Sequence, residues 1–190
     1  MSTLEARPVD TERWDDVVAL FGPSGIARGC WCMARRLPSS EFQANGTTGN
    51  RSALERLIRD REPVGLLFYT DGAPIAWCAV APRSAHGPIL RSTTLPIDDP
   101  EDPSIWAVTC LFVKPGRRRQ GLTLSMVQEA VGYAAASGAR IVEAYPAHSM
   151  PADPSRGTLN VFLQAGFEVH AKERTTAKRN VVVRHRLRDA

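Results

Sequence analysis

The run SIWAVTCLFV, residues 104–113, constrains the fold more than any other stretch of the chain. It is rich in β-branched and aromatic residues and apolar almost without a break. A strand with one wet face alternates; this one does not, and so reads as a central strand covered on both faces. It ends at Lys114-Pro115 and passes through the loop GRRRQG. The chain then re-emerges as GLTLSMVQEAVGYAAASG, the clearest helix in the sequence. There Met126, Val127, Ala130, Val131 and Ala134 form an apolar stripe, and Gly138 suits the position just past the helix end. A buried strand, a glycine-bearing loop and an amphipathic helix in that order point to an α/β domain.

The remaining elements fit around that unit. LEARPV (residues 4–9) reads as a short first strand. In DTERWDDVVALF, Trp14, Val17, Val18 and Phe21 fall at i, i+3, i+4 and i+7, with Asp10 or Thr11 as cap. Gly22, Pro23, Gly25 and Gly29 then mark a loop that carries GCWCMARR. GNRSALERLIRD reads as a second helix, with Ser52 and Glu55 at capping-box spacing. VGLLFYT and PIAWCAVA form a hairpin at Asp71-Gly72. HGPILRSTTLPIDDPEDP is a polar connection. After the long helix come the buried strand ARIVEAY, the loop PAHSMPADPSRG and the short helix TLNVFLQAG. FEVHAKE and NVVVRHRL close the chain as an antiparallel pair. The order is β-α-α-β-β-β-α-β-α-β-β, one α/β domain over residues 1–190 with a mixed sheet.

Composition excludes several classes. With 190 residues, 43% of them hydrophobic, the chain can bury one sizeable core. No apolar run reaches the length of a membrane span, and MSTLEARPVD lacks a signal-peptide layout, so a cytoplasmic protein is expected. The four cysteines, Cys30, Cys32, Cys78 and Cys110, are expected as thiols. C-W-C has neither the redox nor the zinc spacing, and the four histidines are scattered, so no metal site is expected. The net charge of +4 suits an anionic ligand without identifying it.

The arginine loop admits three readings: a solvated basic turn, a nucleic-acid grip, or a seat for a phosphorylated small molecule. The helix that follows carries Glu129 and little positive charge, which argues against nucleic acid. The first turn of a helix presents unpaired N–H groups and partial positive charge, and Gly116 and Gly121 let the backbone approach a ligand. Arg117, Arg118 and Arg119 add forked donors. The spacing is neither a Walker loop nor the dinucleotide fingerprint.

LFVKPGRRRQGLT resembles the acetyl-CoA motif of the GNAT superfamily of N-acetyltransferases, roughly V-x-P-x-x-R-x-x-G-x-G/A. Val113, Pro115, Arg118 and Gly121 match, with Thr123 at the last small position. NVFLQAGF, about forty residues on, resembles the second cofactor motif of that family, which ends in Gly-Phe. The strand order read above is also the GNAT order, and the resemblance covers nearly the whole chain, most weakly before residue 63. GCWCM together with GTLNVFLQAGF also resembles a bacterial GNAT subgroup whose acceptors are poorly defined. The resemblance implies a single-domain GNAT fold: a mixed, mostly antiparallel sheet of about seven strands, with fourth and fifth strands splayed and about four flanking helices.

It further implies acetyl-CoA as cosubstrate. Its pantetheine arm would pair with Leu111, Phe112 and Val113. Its pyrophosphate would sit on the N–H groups from Arg118 through Arg119 and Gly121 to Thr123, and Asn160 would bond the arm. Direct attack of an amine on the thioester is implied, with the Leu111 N–H as oxyanion donor. Val142-Glu143-Ala144 resembles the segment that supplies a proposed base in relatives acting on protein N-termini. Glu143 could equally lie on a solvated face or in a salt bridge. Counting back from Phe167, the position where many GNATs carry an acidic Tyr is Phe162, which has no proton to give. Tyr145 and His148 are the candidates left for that task. Trp31, Cys32 and Met33 either line the acceptor pocket or plug their loop onto the core. The expected partner is an amine, that of a small molecule first and of a peptide or protein second. No nucleic acid or membrane partner is expected, and a homodimer stays open. An acyl-CoA-binding sensor with little catalysis is the alternative.

Overall fold

A computed structural model describes residues 4–26, 29–146, 154–172 and 181–187. In chain order the elements are β1 (Glu5–Pro8), α1 (Trp14–Phe21), α2 (Ser39–Arg59), β2 (Leu66–Thr70), β3 (Ala73–Pro82) and α3 (Gly87–Leu90). They continue with β4 (Ile105–Val113), α4 (Leu122–Ala136), β5 (Ile141–Ala144), α5 (Leu159–Gln164), β6 (Glu168–Lys172) and β7 (Val181–Arg186). The seven strands form one sheet in the order β1-β2-β3-β4-β5-β7-β6, which puts β4 at its centre. Only β4 and β5 run parallel.

Both faces of the sheet are covered, as the unbroken apolar run of β4 requires. On one face Met126, Val127, Ala130 and Ala134 of α4 pack with Phe162 of α5 against Cys78, Val80, Trp106 and Val108. On the other, Val17, Leu20 and Phe21 of α1 and Leu54 and Ile58 of α2 pack on Leu67, Trp77 and Ala79. The β2–β3 hairpin turns at Asp71 and Gly72, both with positive φ (51° and 74°), the pairing that a two-residue hairpin favours. Asp10 caps the turn that leads into α1, its side chain accepting from the N–H groups of Glu12 and Arg13.

Two expectations, the start of α2 and the Ser52 cap, are corrected. α2 begins at Ser39, not near residue 49, and is kinked at Gly46 (φ 56°, ψ −165°). Ser52 therefore lies inside the helix and caps nothing. The helices of the described residues number five, because the connection after β3 contains the single turn α3. No helix among the described residues is long and apolar enough to cross a membrane.

One irregularity organises the centre of the sheet. Val80 pairs with Val108 and Ala79 with Cys110, so Thr109 is an extra residue on β4. The bulge switches the parity of the strand. Trp106 and Val108 face α4; beyond the bulge Leu111 faces α4, whereas Cys110 faces α1. β5 pairs with β4 only from Ile105 to Val108 and stops at Ala144. From Thr109 onward β4 keeps β3 on one edge and loses β5 on the other.

Candidate active site

The open edge of β4 can be read group by group. Lys114 donates its N–H to Ile75 O at 2.9 Å, so it faces β3. Successive residues of a regular antiparallel strand face alternate edges, and the register is unbroken from Cys110 to Val113. Leu111 and Val113 therefore turn their N–H and C=O groups toward the edge that β5 has left. Val113 O is taken by Arg118 Nε at 3.0 Å. The Leu111 pair remains directed into the gap.

A groove of about 340 Å³ continues from that edge to the start of α4, lined by Leu111, Phe112, Val113, Arg118, Arg119, Gly121 and Thr123 among others. Gly121 takes φ 74° at the N-cap of α4, a left-handed conformation that costs glycine little. The first turn of α4 has no side-chain cap and no acidic residue. Its N–H groups and dipole thus face the groove without competition. Lys114, Arg117, Arg118 and Arg119 are exposed around it. This is a seat for an extended, apolar-to-anionic ligand. Asn160 stands apart, exposed on the first turn of α5 and outside the lining of the groove.

A second, smaller cavity of about 90 Å³ opens at the bulge, where Val108 and Thr109 meet Tyr145 just past the end of β5. Among the described residues its charged lining is Arg35 and Arg156. Arg156 Nε donates to Tyr145 O at 3.0 Å, which fixes its side chain beside the cavity.

Glu143 lies beneath that cavity and is 0% exposed. It stands opposite Arg184 in the β5–β7 register, so the two side chains share a face. Oε1 accepts from Arg184 Nε at 2.7 Å and from Arg83 NH1 at 2.9 Å. Oε2 accepts from the Tyr145 hydroxyl at 2.6 Å. Arg83 NH2 also donates to the carbonyl of Asp98 at 2.9 Å, and Arg184 extends to the Asp98 carboxylate. A buried carboxylate is tolerable when surrounded in this way. Burial, and then the neighbouring carboxylate, push the Tyr145 phenol well above its ordinary value.

Trp31, Cys32 and Met33 are buried in the core with Phe21, Leu54 and Trp77, and none of them lines either cavity. Trp31 stacks obliquely on Phe21, ring centroids 5.4 Å apart. Burial, reinforced by hydrogen bonds with the Cys110 and Cys30 thiols, pushes the Cys32 thiol well above its ordinary value, so it is not a nucleophile at neutral pH. Phe162 is fully buried edge-on to Phe167 at 5.2 Å. His148 lies outside the described residues. Among the described residues no cluster of His, Cys, Asp or Glu could hold a metal ion.

Residues 31–159, more than half of the chain, match the acetyltransferase (GNAT) family. The chain belongs to that family. No curated protein sequence matches this GNAT chain. Solved structures share its fold at low identity. An AAC(6')-Ib structure in complex with paromomycin and acetyl-CoA superposes with a TM-score of 0.61 at 14% identity, over 97% of this chain and 93% of that one. An N-acetyltransferase from Staphylococcus aureus Mu50 gives 0.58 at 13%, over 98% and 100%. The PaiA N-acetyltransferase from Thermoplasma acidophilum, in complex with coenzyme A, gives 0.55 at 13%, over 97% and 99%.

Within this GNAT domain, the residues expected along β4 and at the start of α4 converge on one groove. Tyr145 borders the second cavity, and Glu143 is enclosed behind it. Sequence reasoning missed Arg35, Arg83, Arg156 and Arg184. Arg184 had a signal: VVVRHR sets an arginine in an apolar strand, as IVEA sets a glutamate in one. Two such residues of opposite sign are mutual partners more readily than two separate active groups.

Proposed function

We propose that this protein is an acetyl-CoA-dependent N-acetyltransferase that acetylates the primary amine of a small molecule by direct attack within a ternary complex. The observation that carries the reading is continuity. The free Leu111 edge of β4 runs into an uncapped, acid-free α4 N-terminus through one groove. A pantetheine arm needs the first, and a pyrophosphate needs the second. Glycines 116 and 121 leave open space where side chains would otherwise crowd that ligand.

In this reading Leu111, Phe112 and Val113 pair with the arm, and Arg118, Arg119, Gly121 and Thr123 hold the pyrophosphate. Asn160 meets the arm only at its exposed end. The amine nitrogen attacks the thioester carbonyl carbon; the C–N bond forms and the C–S bond breaks. Of the two protons that an ammonium gives up, one ends on the departing thiol and one in solvent. The Leu111 N–H receives the developing oxyanion. Glu143, expected as the base, acts instead as a positioning residue, because an amine could reach its carboxylate only by displacing Tyr145 or an arginine. Tyr145 forms the wall against which the amine rests. The small second cavity favours a small-molecule amine over a protein, and the site of action is the cytoplasm.

A sensor that binds acetyl-CoA without turnover is the second reading, favoured by the phenol missing at Phe162. Incubating protein with acetyl-CoA and an amine panel while following free thiol separates the two. Amine-dependent thiol release is expected. Tight acetyl-CoA binding with no release on any amine would overturn the transferase reading.

A further inference from the structure

Thr109, the residue that the bulge adds to β4, lines the second cavity at the point where β5 has left the sheet. Val108 packs toward α4 and Cys110 toward α1. The extra residue therefore presents a side chain to the cavity without taking Cys110 from its place. Thr109 is half-buried, and its hydroxyl has no hydrogen-bond partner among the described residues. The other polar side chains of the described lining are differently placed. Ser92 Oγ accepts the N–H groups of Thr94 and Leu95 at 3.3 and 3.0 Å and meets Thr94 Oγ1 at 3.3 Å. Tyr145 gives its one hydroxyl proton to Glu143. Arg156 donates to Tyr145 O, and the Arg35 guanidinium carries donors only.

Resting on the transferase reading above, we infer that the Thr109 hydroxyl holds the attacking amine: its oxygen accepts an N–H of the acceptor and turns the nitrogen lone pair toward the thioester at Leu111. Attack spends the lone pair, so the amine can be steered only through its N–H groups, and these need an acceptor. A guanidinium has none, whereas a hydroxyl oxygen has two lone pairs. Thr109 and Leu111 are two residues apart on one strand, about 7 Å. A thioester oxygen on the Leu111 N–H and an amine nitrogen on the Thr109 hydroxyl are then neighbours, and the reacting atoms meet between them. Thr109 gains and loses no proton; it supplies orientation. The space of about 90 Å³ beside it takes a small aliphatic amine. One irregular residue thus joins the acceptor cavity to the edge that carries the thioester.

The test compares Thr109→Val with Thr109→Ser. Valine keeps the branched shape that suits a strand and loses the hydroxyl; serine keeps the hydroxyl. Because that hydroxyl bonds to no described residue, Thr109→Val should match the parent in urea midpoint and in coenzyme A affinity. Thiol release from acetyl-CoA with n-propylamine, ethanolamine and L-alanine should fall about tenfold in kcat/KM for Thr109→Val, and Thr109→Ser should recover most of it. An unaltered Thr109→Val, an equal loss of coenzyme A affinity, or a Thr109→Ser as poor as the valine variant would overturn the inference while leaving the transferase intact. A second readout needs no turnover: binding of a conjugate in which a CH2–C(=O) bridge joins the coenzyme A sulfur to the nitrogen of n-propylamine. Its amide N–H stands where the attacking N–H would. If the parent binds the conjugate about tenfold more tightly than Thr109→Val does but acetylates no amine, the Thr109 contact stands and the transferase reading falls. If the two bind it alike, the Thr109 contact falls.

Discussion

Glu143 stands directly across the β5–β7 pair from Arg184, and Arg184 Nε donates to its Oε1 at 2.7 Å. With Arg83 on the same oxygen, the Glu143 carboxylate is shared by two guanidinium groups whose side chains are almost entirely out of solvent, and Arg184 alone has a second carboxylate partner, Asp98. Removing it leaves like charges facing each other in the core. Glu143→Gln is expected to cost about 3–5 kcal/mol of stability by urea unfolding. The same variant, where folded, should bind coenzyme A normally, because the groove lies beyond the bulge. A stable Glu143→Gln enzyme with kcat alone abolished would restore Glu143 as the base.

Arg118 and Arg119 differ in what they hold. Arg118 Nε closes the loop on Val113 O, whereas Arg119 is exposed and contributes its charge to the groove. Arg119→Ala should weaken coenzyme A binding by about three- to fivefold at low salt and by little at high salt, the mark of a screened surface charge. Arg118→Ala should lose more and keep part of its loss at high salt, since it also frees the loop. Calorimetric titration at two ionic strengths reads both effects. Losses independent of salt in Arg119→Ala would remove the charge role.

His86 is buried, its ring close to the Arg35 backbone without making a hydrogen bond. Burial, then the Arg36 charge, lower its pKa to about 3. The unfolded chain takes up that proton near pH 6.5. Between those values the unfolded state binds more protons than the native one. Stability therefore falls as pH drops from about 6.5 toward 3, by about 1.4 kcal/mol per unit. Burial also lowers the His185 pKa, which adds a slope of the same sign. His86→Leu should flatten, not abolish, the decline between pH 6.5 and 4. A slope identical to that of the parent protein would show that His86 is not the group being charged.

The parts legible in the sequence are those that leave a compositional trace. β4 shows as an unbroken apolar run, the groove as a glycine loop before a striped helix, the hairpin as Asp71-Gly72. Thr109 left no trace, because a bulge is a slip of one residue in pairing and changes no local composition. The first half of α2 was invisible for another reason: SSEFQANG carries one large apolar residue, Phe42, so no period could show. The second cavity was out of reach because Arg35, Thr109, Tyr145 and Arg156 meet only after the sheet has formed. Glu143 drew attention correctly as an ionised group in an apolar strand. Its purpose depended on Arg83 and Arg184, which the sequence places far away.

Gly157 gives the sharpest test of the oxyanion assignment. It is buried with φ 69°, and a Cβ there would stand 2.9 Å from Phe162 Cε2 and 3.0 Å from Leu111 Cδ1. Gly157→Ala imposes a left-handed alanine, about 1–2 kcal/mol, and pushes on the residue whose N–H is to meet the oxyanion. Gly166 serves as the control. It has φ 86°, but its Cβ would meet His185 at 3.2 Å, away from Leu111. Both variants should lose similar stability. Only Gly157→Ala should also lose kcat, by about 10–100-fold, because a displaced donor stabilises the transition state less while leaving binding largely intact. Stopped-flow or steady-state thiol release at a temperature where both variants are fully folded measures the difference. Equal kcat in the two would mean that Leu111 is not the donor, and the search would move to Val113, the other N–H on that open edge.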